Sequence, residues 1–310
     1  TFALYQRNAN KGRAYHVDDT VGSQRYLGYT ERPSFVWAVE STRGKVLTYL
    51  GSLIKAYYCS STGGHTEGDE EVWRGKDEAY LTGVEDFDRN SPHYFWQPRI
   101  FHVREVFAKL GLSEASPLFI EGIPGTSLLK EVVPAGDIEK APGEKQLGSS
   151  DDLKVLWYRF SAGGREMLLT REELRWKLGL KSPRYNIIVV GRDELEEALV
   201  QAVEAGDFSL ASTGSCDPLR EGDSTLGYVL SPTLRAFVVG RPVRGRIELE
   251  DGDILIFDGR GYGHGVGLSQ WGSQGMASMR DPSGEPVYTW EDILKHYYRG
   301  VEIVDNYNLK

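Results

Sequence analysis

Every second residue from 259 to 267 is glycine: Gly259-Arg260-Gly261-Tyr262-Gly263-His264-Gly265-Val266-Gly267. In an extended chain that alternation leaves one face without side chains. A bare face lets another backbone, or a flat ligand, approach closely. A tightly packed strand or turn explains the pattern equally well. Known glycine motifs do not fit. The dinucleotide pattern G-x-G-x-x-G meets Val266 or Leu268 where its last glycine should stand, and no Walker lysine follows. The nucleophile elbow G-x-S-x-G fails because Trp271 follows Gly267-Leu268-Ser269-Gln270. Nucleotide binding and α/β-hydrolase chemistry are therefore disfavoured. His264, unshielded between glycines, is suited to bond a ligand, to act as acid or base, or to cap a neighbouring carbonyl.

A second segment, Cys59-Ser60-Ser61-Thr62-Gly63-Gly64-His65-Thr66-Glu67-Gly68-Asp69-Glu70-Glu71, follows a strand-like run. Its hydroxyls and freed backbone N–H groups suit a sugar or an anion. Cys59 and His65 alone do not make a tetrahedral metal site. The carboxylates from Glu67 to Glu71 read as a solvated loop, with one of them as a general acid the sharper alternative. Cys59 and Cys216 allow one disulfide or two free thiols, and spacing does not decide between them.

Short runs rich in β-branched and aromatic residues predict strands at Ser34–Glu40, Lys45–Leu50 and Leu53–Cys59, joined by turns at Gly44 and Gly51-Ser52. The spacing of Val103, Val106, Phe107 and Leu110 predicts a helix within His102–Leu112. Residues from Glu121 to Gln146 read as loops with short strands. Leu153–Phe160 reads as a strand. Thr170-Arg171-Glu172-Glu173 is a capping box opening a helix through Leu178, stopped by Gly179. Tyr185–Val190, Arg246–Leu249 and Ile254–Phe257 read as strands. Asp193–Ala205, Leu268 to about Met279 and Trp290–Tyr298 read as helices. The expectation is an α+β fold, mainly antiparallel strands with several short helices, built as a core plus an inserted lobe. Its expected divisions are 1–98, 99–189, an insertion at 190–250, and a closing part at 251–310.

The charge balance narrows the partners. With 36 Lys and Arg against 45 Asp and Glu, the net charge is −9. A chain so acidic is a poor candidate for wrapping a phosphate backbone, so no nucleic-acid partner is expected. No apolar run reaches transmembrane length, and the start at Thr1 carries no signal-peptide pattern.

The two chemical segments together resemble the stage II sporulation protein D family, which includes amidase-enhancer proteins of bacterial cell walls. The family pattern S-x-S-G-G-x-T, then V-W and Y-L, is matched by Ser60–Thr66, Val72-Trp73 and Tyr80-Leu81. A middle element is matched by Leu169–Arg175 and Leu178–Ser182. The closing pattern G-x-G-[WY]-G-H-G-V-G-x-S-Q runs from Gly259, with Ser273 where alanine is usual, and Ile293–Val301 matches I-L-x-H-Y-Y-x-G-V. The stretch from about Val190 to Glu250 is less matched.

The resemblance implies a lytic transglycosylase that cleaves between N-acetylmuramic acid and N-acetylglucosamine in peptidoglycan, especially in glycan lacking stem peptides, and leaves 1,6-anhydro ends. A glutamic acid protonates the glycosidic oxygen while the sugar's C6 hydroxyl attacks. The family's glutamate precedes an A-x-x-A-A-R-T-[YF]-A motif, whose tail is Thr1-Phe2-Ala3 here. The acid is therefore expected upstream of residue 1, and no catalytic residue is assigned. Some relatives hold zinc where Asp18, Gly22 and Ser23 stand here, so no metal is expected, nor any cofactor. The resemblance makes Ser61, Gly63, Gly64, Thr66, His264, Ser269 and Gln270 substrate-contact or groove-shaping residues. Lactyl carboxylates on the glycan would require local basic residues, for which Arg25, Arg74 and Arg260 are candidates. The expected partners are peptidoglycan glycan strands and a cell-wall amidase, and the expected location is the outer side of the bacterial cytoplasmic membrane. The competing reading is a non-catalytic glycan-binding protein or amidase enhancer. A third is an unrelated glycosidase using residues 67–71, or Asp86 and Asp88.

Overall fold

A computed structural model describes residues 1–20, 22–23, 28–74, 77–112, 116–124, 154–204, 240–305 and 307. Helix α1 (Phe2–Ala9) opens the chain, and α2 (Pro33–Ser41) follows. The expected strand at Ser34–Glu40 is thus helical. Pro33 stands in the first helical turn, where its fixed φ fits and its missing N–H is not needed. A short apolar run has no period that separates strand from helix. No residue of α2 is buried, so no sheet neighbour imposes the extended form.

Strand β1 (Val46–Tyr49) turns through Leu50 and Gly51 into β2 (Ser52–Leu53). Both turn residues have positive φ, 48° and 77°, as a two-residue hairpin of right-handed twist requires. The run Leu53–Cys59 is not one strand. Tyr57 N–H donates back to Lys55 C=O at 2.7 Å, and the chain is extended again only at β3 (Tyr58–Cys59). After α3 (Asp69–Val72), β4 (Arg99–His102) leads directly into α4 (Val103–Lys109), which buries Val103, Val106 and Phe107 as its spacing predicts. Strand β5 (Leu118–Pro124) takes in the first residues of the expected loop region; the rest of that region lies outside the described residues.

Strands β6 (Val155–Ala162) and β7 (Arg165–Thr170) form a hairpin. Helix α5 (Arg171–Leu178) then begins with the predicted box: Glu173 N–H donates to Thr170 Oγ1 (3.0 Å), and Thr170 N–H to Glu173 Oε2 (2.8 Å). Gly179 ends the helix in the left-handed region. There follow β8 (Tyr185–Val190), α6 (Arg192–Glu204), β9 (Arg241–Pro242), β10 (Arg246–Leu249), β11 (Ile254–Gly259), β12 (Leu268–Ser269), α7 (Gln270–Ser278), α8 (Trp290–Tyr297) and β13 (Glu302–Val304). Most of the expected insertion at 190–250, with Cys216, lies outside the described residues.

The α+β expectation holds. Two four-stranded sheets, β10-β5-β6-β7 and β4-β11-β8-β9, are antiparallel throughout, as is the three-stranded sheet β13-β1-β2. Among the strands of the described residues, only the two-residue pair β12-β3 is parallel, and an isolated parallel bridge joins Glu67 to Val266. One core lies among the four-stranded sheets and helices α4 and α5, around Phe107, Phe160, Leu174 and Phe257. A second joins the early chain to the late chain, around Ile54, Leu81, Val266, Met276 and Tyr297. The glycine-rich segment leaves β11 in the first core and enters β12 and α7 in the second.

Thr170, the capping residue, is buried. Thr170→Ala is expected to lower stability by about 1 kcal/mol, read from the urea midpoint at unchanged m-value.

Candidate functional site

The segment Gly259–Gly267 is not a bare-faced strand. Gly261, Gly263, Gly265 and Gly267 all have positive φ, so the chain bends at each of them. What approaches closely is the protein's own backbone. A Cβ on Gly267 would overlap Tyr57 C=O, and one on Gly263 would come within 2.9 Å of Cys59 Cβ. Main-chain bonds join the segment to three other stretches. Tyr262 N–H donates to Ser61 C=O (2.7 Å), Glu67 N–H to Gly265 C=O (2.8 Å), Gly263 N–H to Lys181 C=O (3.0 Å) and Gly261 N–H to His93 C=O (2.8 Å). Ser182 Oγ–H also donates to Arg260 C=O. The motif stretches quoted above are therefore laced together through backbone.

Two buried carboxylates complete the lacing. Asp88 Oδ2 accepts from Ser61 Oγ (2.5 Å) and from the N–H groups of Thr62 and Gly63 (2.8 Å each). Asp86 accepts from Thr62 Oγ1 (2.5 Å) and Tyr297 Oη (2.6 Å). Helix α7 can pass Asp86 because residue 272 is glycine; a Cβ there would overlap Asp86 Oδ1 and Tyr297 Oη.

The expected site residues take these places. Ser61, Gly63, Thr66 and Ser269 are buried and face inward. Thr66 Oγ1 accepts Val84 N–H (2.7 Å), and Ser269 Oγ caps α7 by accepting Gly272 N–H (3.0 Å). Gly64 is half-buried beside Tyr94, and Gln270 is exposed at the start of α7. His264 keeps part of its surface accessible, yet its ring lies against Trp73 and Tyr57 (centroids 5.1 and 6.1 Å). Its Nδ1 accepts Val266 N–H (3.1 Å), and the ring's other hydrogen bond is to the Tyr58 main chain. Desolvation first, then the Arg175 charge, lowers its pKa to about 4, so the imidazole is neutral at pH 7. Burial pushes the Cys59 thiol up to about 12, which makes it a poor nucleophile.

A groove of about 650 Å³ lies against this lacing. The ends of β8 and β11 supply Tyr185, Asn186, Asp258 and Gly259. The loop into α3 supplies His65 and Glu67, and α3 itself Glu70 and Glu71. Lys154, Arg171, Arg184 and Arg260 complete it. A neighbouring cavity of about 280 Å³ shares Lys154, Arg171, Tyr185 and Asn186. Glu67, 4% exposed, is held by Lys154 and lies 3.7 Å from Arg184, and Lys154 Nζ also reaches Glu71 (2.7 Å). Burial, with Arg171 and Arg184, lowers the Lys154 pKa towards about 7, and burial raises that of Glu71. Their direct contact opposes both shifts and favours the charged pair.

Of the three basic candidates, Arg260 lines the groove. Arg74 is committed elsewhere, to Glu173 (3.0 Å), Leu168 C=O (2.9 Å) and the Trp157 ring, and Arg25 lies outside the described residues. The reading by motif missed Lys154, Arg171, Arg184 and Asn186. Arg171 was visible only as part of a capping box, and Arg184 follows the matched Ser182 by two residues. Asp69, Glu70 and Asp77 bring carboxylate oxygens within 4.8 Å of one another, but Asp69 already accepts from Glu78 N–H (3.2 Å).

The chain is similar to the amidase enhancer of Bacillus subtilis (26% identical, over 93% of this chain and 35% of that protein). It is likewise similar to the stage II sporulation protein D of Bacillus amyloliquefaciens (27%, over 86% and 49%) and to an uncharacterised protein of Brachyspira hyodysenteriae (26%, over 98% and 58%). No protein-family profile matches the chain. The resemblance to the stage II sporulation protein D and amidase-enhancer family thus extends over most of this chain, which spans between 35% and 58% of the length of these relatives.

Two outcomes are expected. Gly272→Ala should lower stability by roughly 1–3 kcal/mol, because a buried methyl must displace Asp86 or Tyr297; an unchanged urea midpoint would contradict the packing. For His264, only the unfolded chain takes up a proton between pH 6.5 and about 4. Its contribution to stability is therefore lost as pH falls through that window, at up to about 1.4 kcal/mol per pH unit. An imidazole NMR titration near pH 6.5 would contradict this.

Proposed function

We propose that this chain is the glycan-binding core of a bacterial cell-wall protein that acts outside the cytoplasmic membrane on peptidoglycan strands. Its activity is that of a lytic transglycosylase: cleavage between N-acetylmuramic acid and N-acetylglucosamine to 1,6-anhydro ends. The observation that carries this reading is the polar groove, whose carboxylates and guanidinium groups match the hydroxyls of a sugar chain, built directly on the motifs that carry the resemblance.

The groove residues hold and orient a strand in this reading. Glu67 is paired with Lys154 and lies 3.7 Å from Arg184, so in this reading it positions the strand through its ion pairs and is not assigned the acid role. Asp86 and Asp88 are buried and bonded to the protein itself, which speaks against the unrelated-glycosidase reading for that pair. The proton donor in this reading is the family's glutamate, which the motif resemblance puts upstream of residue 1. In this reading the laced residues Ser61, Gly63, Gly64, Thr66 and His264 shape the groove from behind, while Ser269 caps α7 and Gln270 is exposed at its start. No helix among the described residues is long and apolar enough to cross a membrane.

The ion-paired state of Glu67 equally supports a second reading, in which the protein binds glycan or an amidase and cuts nothing. The relative named amidase enhancer accords with it.

The two readings separate on incubation with peptidoglycan, with and without stem peptides, followed by mass spectrometry of released fragments. A longer form carrying the upstream segment is expected to yield 1,6-anhydro ends, while residues 1–310 alone bind and do not cut. Cleavage by residues 1–310 would place the acid inside the groove. Binding without cleavage by both forms would establish the second reading.

A further inference from the structure

Four cations face the groove together with Glu67, Glu70, Glu71 and Asp258, and among the described residues two of the cations form no ion pair within 4.0 Å. Lys154 and Arg184 are neutralised by Glu67 and Glu71. Among the described residues, neither Arg171 nor Arg260 forms an ion pair within 4.0 Å. Arg260 is exposed and packs its guanidinium on the Phe95 ring (4.7 Å). Arg171 is 7% exposed, lies over the Tyr185 ring (5.2 Å) and donates one Nη to Tyr185 C=O, while its buried Nε has no hydrogen-bond partner. Arg171 also lines both the groove and the cavity beside it. Glu71 feels the Arg171 charge, but a nearly buried guanidinium with no carboxylate within 4.0 Å and an unbonded Nε keeps unused donors, and a planar fork of N–H donors is best matched by a carboxylate. All three guanidinium groups line the one groove, and burial, then the Arg171 and Arg260 charges, lowers the Arg184 pKa.

We propose that Arg171, Arg184 and Arg260 form a seat for a carboxylate carried on the bound sugar. This rests on the glycan reading above and adds a basis for selectivity. A muramic acid whose lactyl group is free presents an anion to the seat. One whose lactyl group is amide-linked to a peptide presents a neutral carbonyl and extra bulk.

The test compares stripped glycan strands with the same strands after their lactyl carboxylates are converted to methylamides, using residues 1–310 and calorimetric titration. The free-acid strands are expected to bind about tenfold tighter or more, with a preference that shrinks as salt rises. In the double variant Arg184→Gln, Arg260→Gln the preference should fall towards one. Arg171 is left intact because its burial ties it to the fold, and thermal unfolding checks that the double variant is folded. Equal binding of both strands by the unaltered protein, or a preference that survives in the double variant, overturns the seat while leaving the glycan reading in place. Binding of neither strand by the unaltered protein refutes the glycan reading and the seat with it.

Discussion

The backbone contact between Gly259–Gly267 and the chain from Tyr57 to Glu67 is the constraint on which the rest of this protein depends. Both stretches leave regular secondary structure there, so their N–H and C=O groups need partners, and they largely find them in each other and in Lys181–Ser182 and His93. The contact joins the core of the four-stranded sheets to the core made by the early and late chain. It is close enough that side chains at Gly263 and Gly267 would prevent it. The groove is the consequence: β8, β11 and the loop into α3 are brought to one place by this lacing, and their ends form its walls.

Charge is divided between structure and surface by burial. Asp86 and Asp88 lie behind the lacing, where Asp86 and the Oδ2 of Asp88 accept from hydroxyl and N–H donors of the motif stretches. Glu67 and Glu71 lie in front and meet cations that also face solvent. His264, at the centre of the glycine segment, is held neutral between aromatic rings and serves as a hydrogen-bonding spacer. A net charge of −9 is no obstacle to an anionic ligand when a local group of guanidinium ions faces the groove and each interaction is screened beyond a Debye length of about 8–10 Å.

Elements with a strong local signal were legible in the sequence. The capping box at Thr170 and the left-handed glycine at 179 set α5, and the spacing of Val103, Val106 and Phe107 set α4. The run in α2 was not legible, since aromatic and β-branched residues favour a strand only when a sheet neighbour is present, and α2 has no buried face. The motif positions were legible, but not the direction of their side chains. Whether Ser61 meets a ligand or Asp88 depends on a residue 27 positions away. The groove cations were hardest to find, because Lys154, Arg171, Arg184 and Arg260 come from separate elements and converge only through the tertiary fold.

The central claim is that the motif residues build the groove and the charged residues in front of them meet the ligand. Amide chemical-shift mapping during titration with stripped glycan strands tests it most directly. The account predicts the largest shifts at Arg184–Asn186, Asp258–Arg260 and Gly68–Glu71, with small changes at Thr66 and Ser269. Shifts centred on Ser269, Gln270 and the body of α7, with the groove amides unmoved, would contradict it.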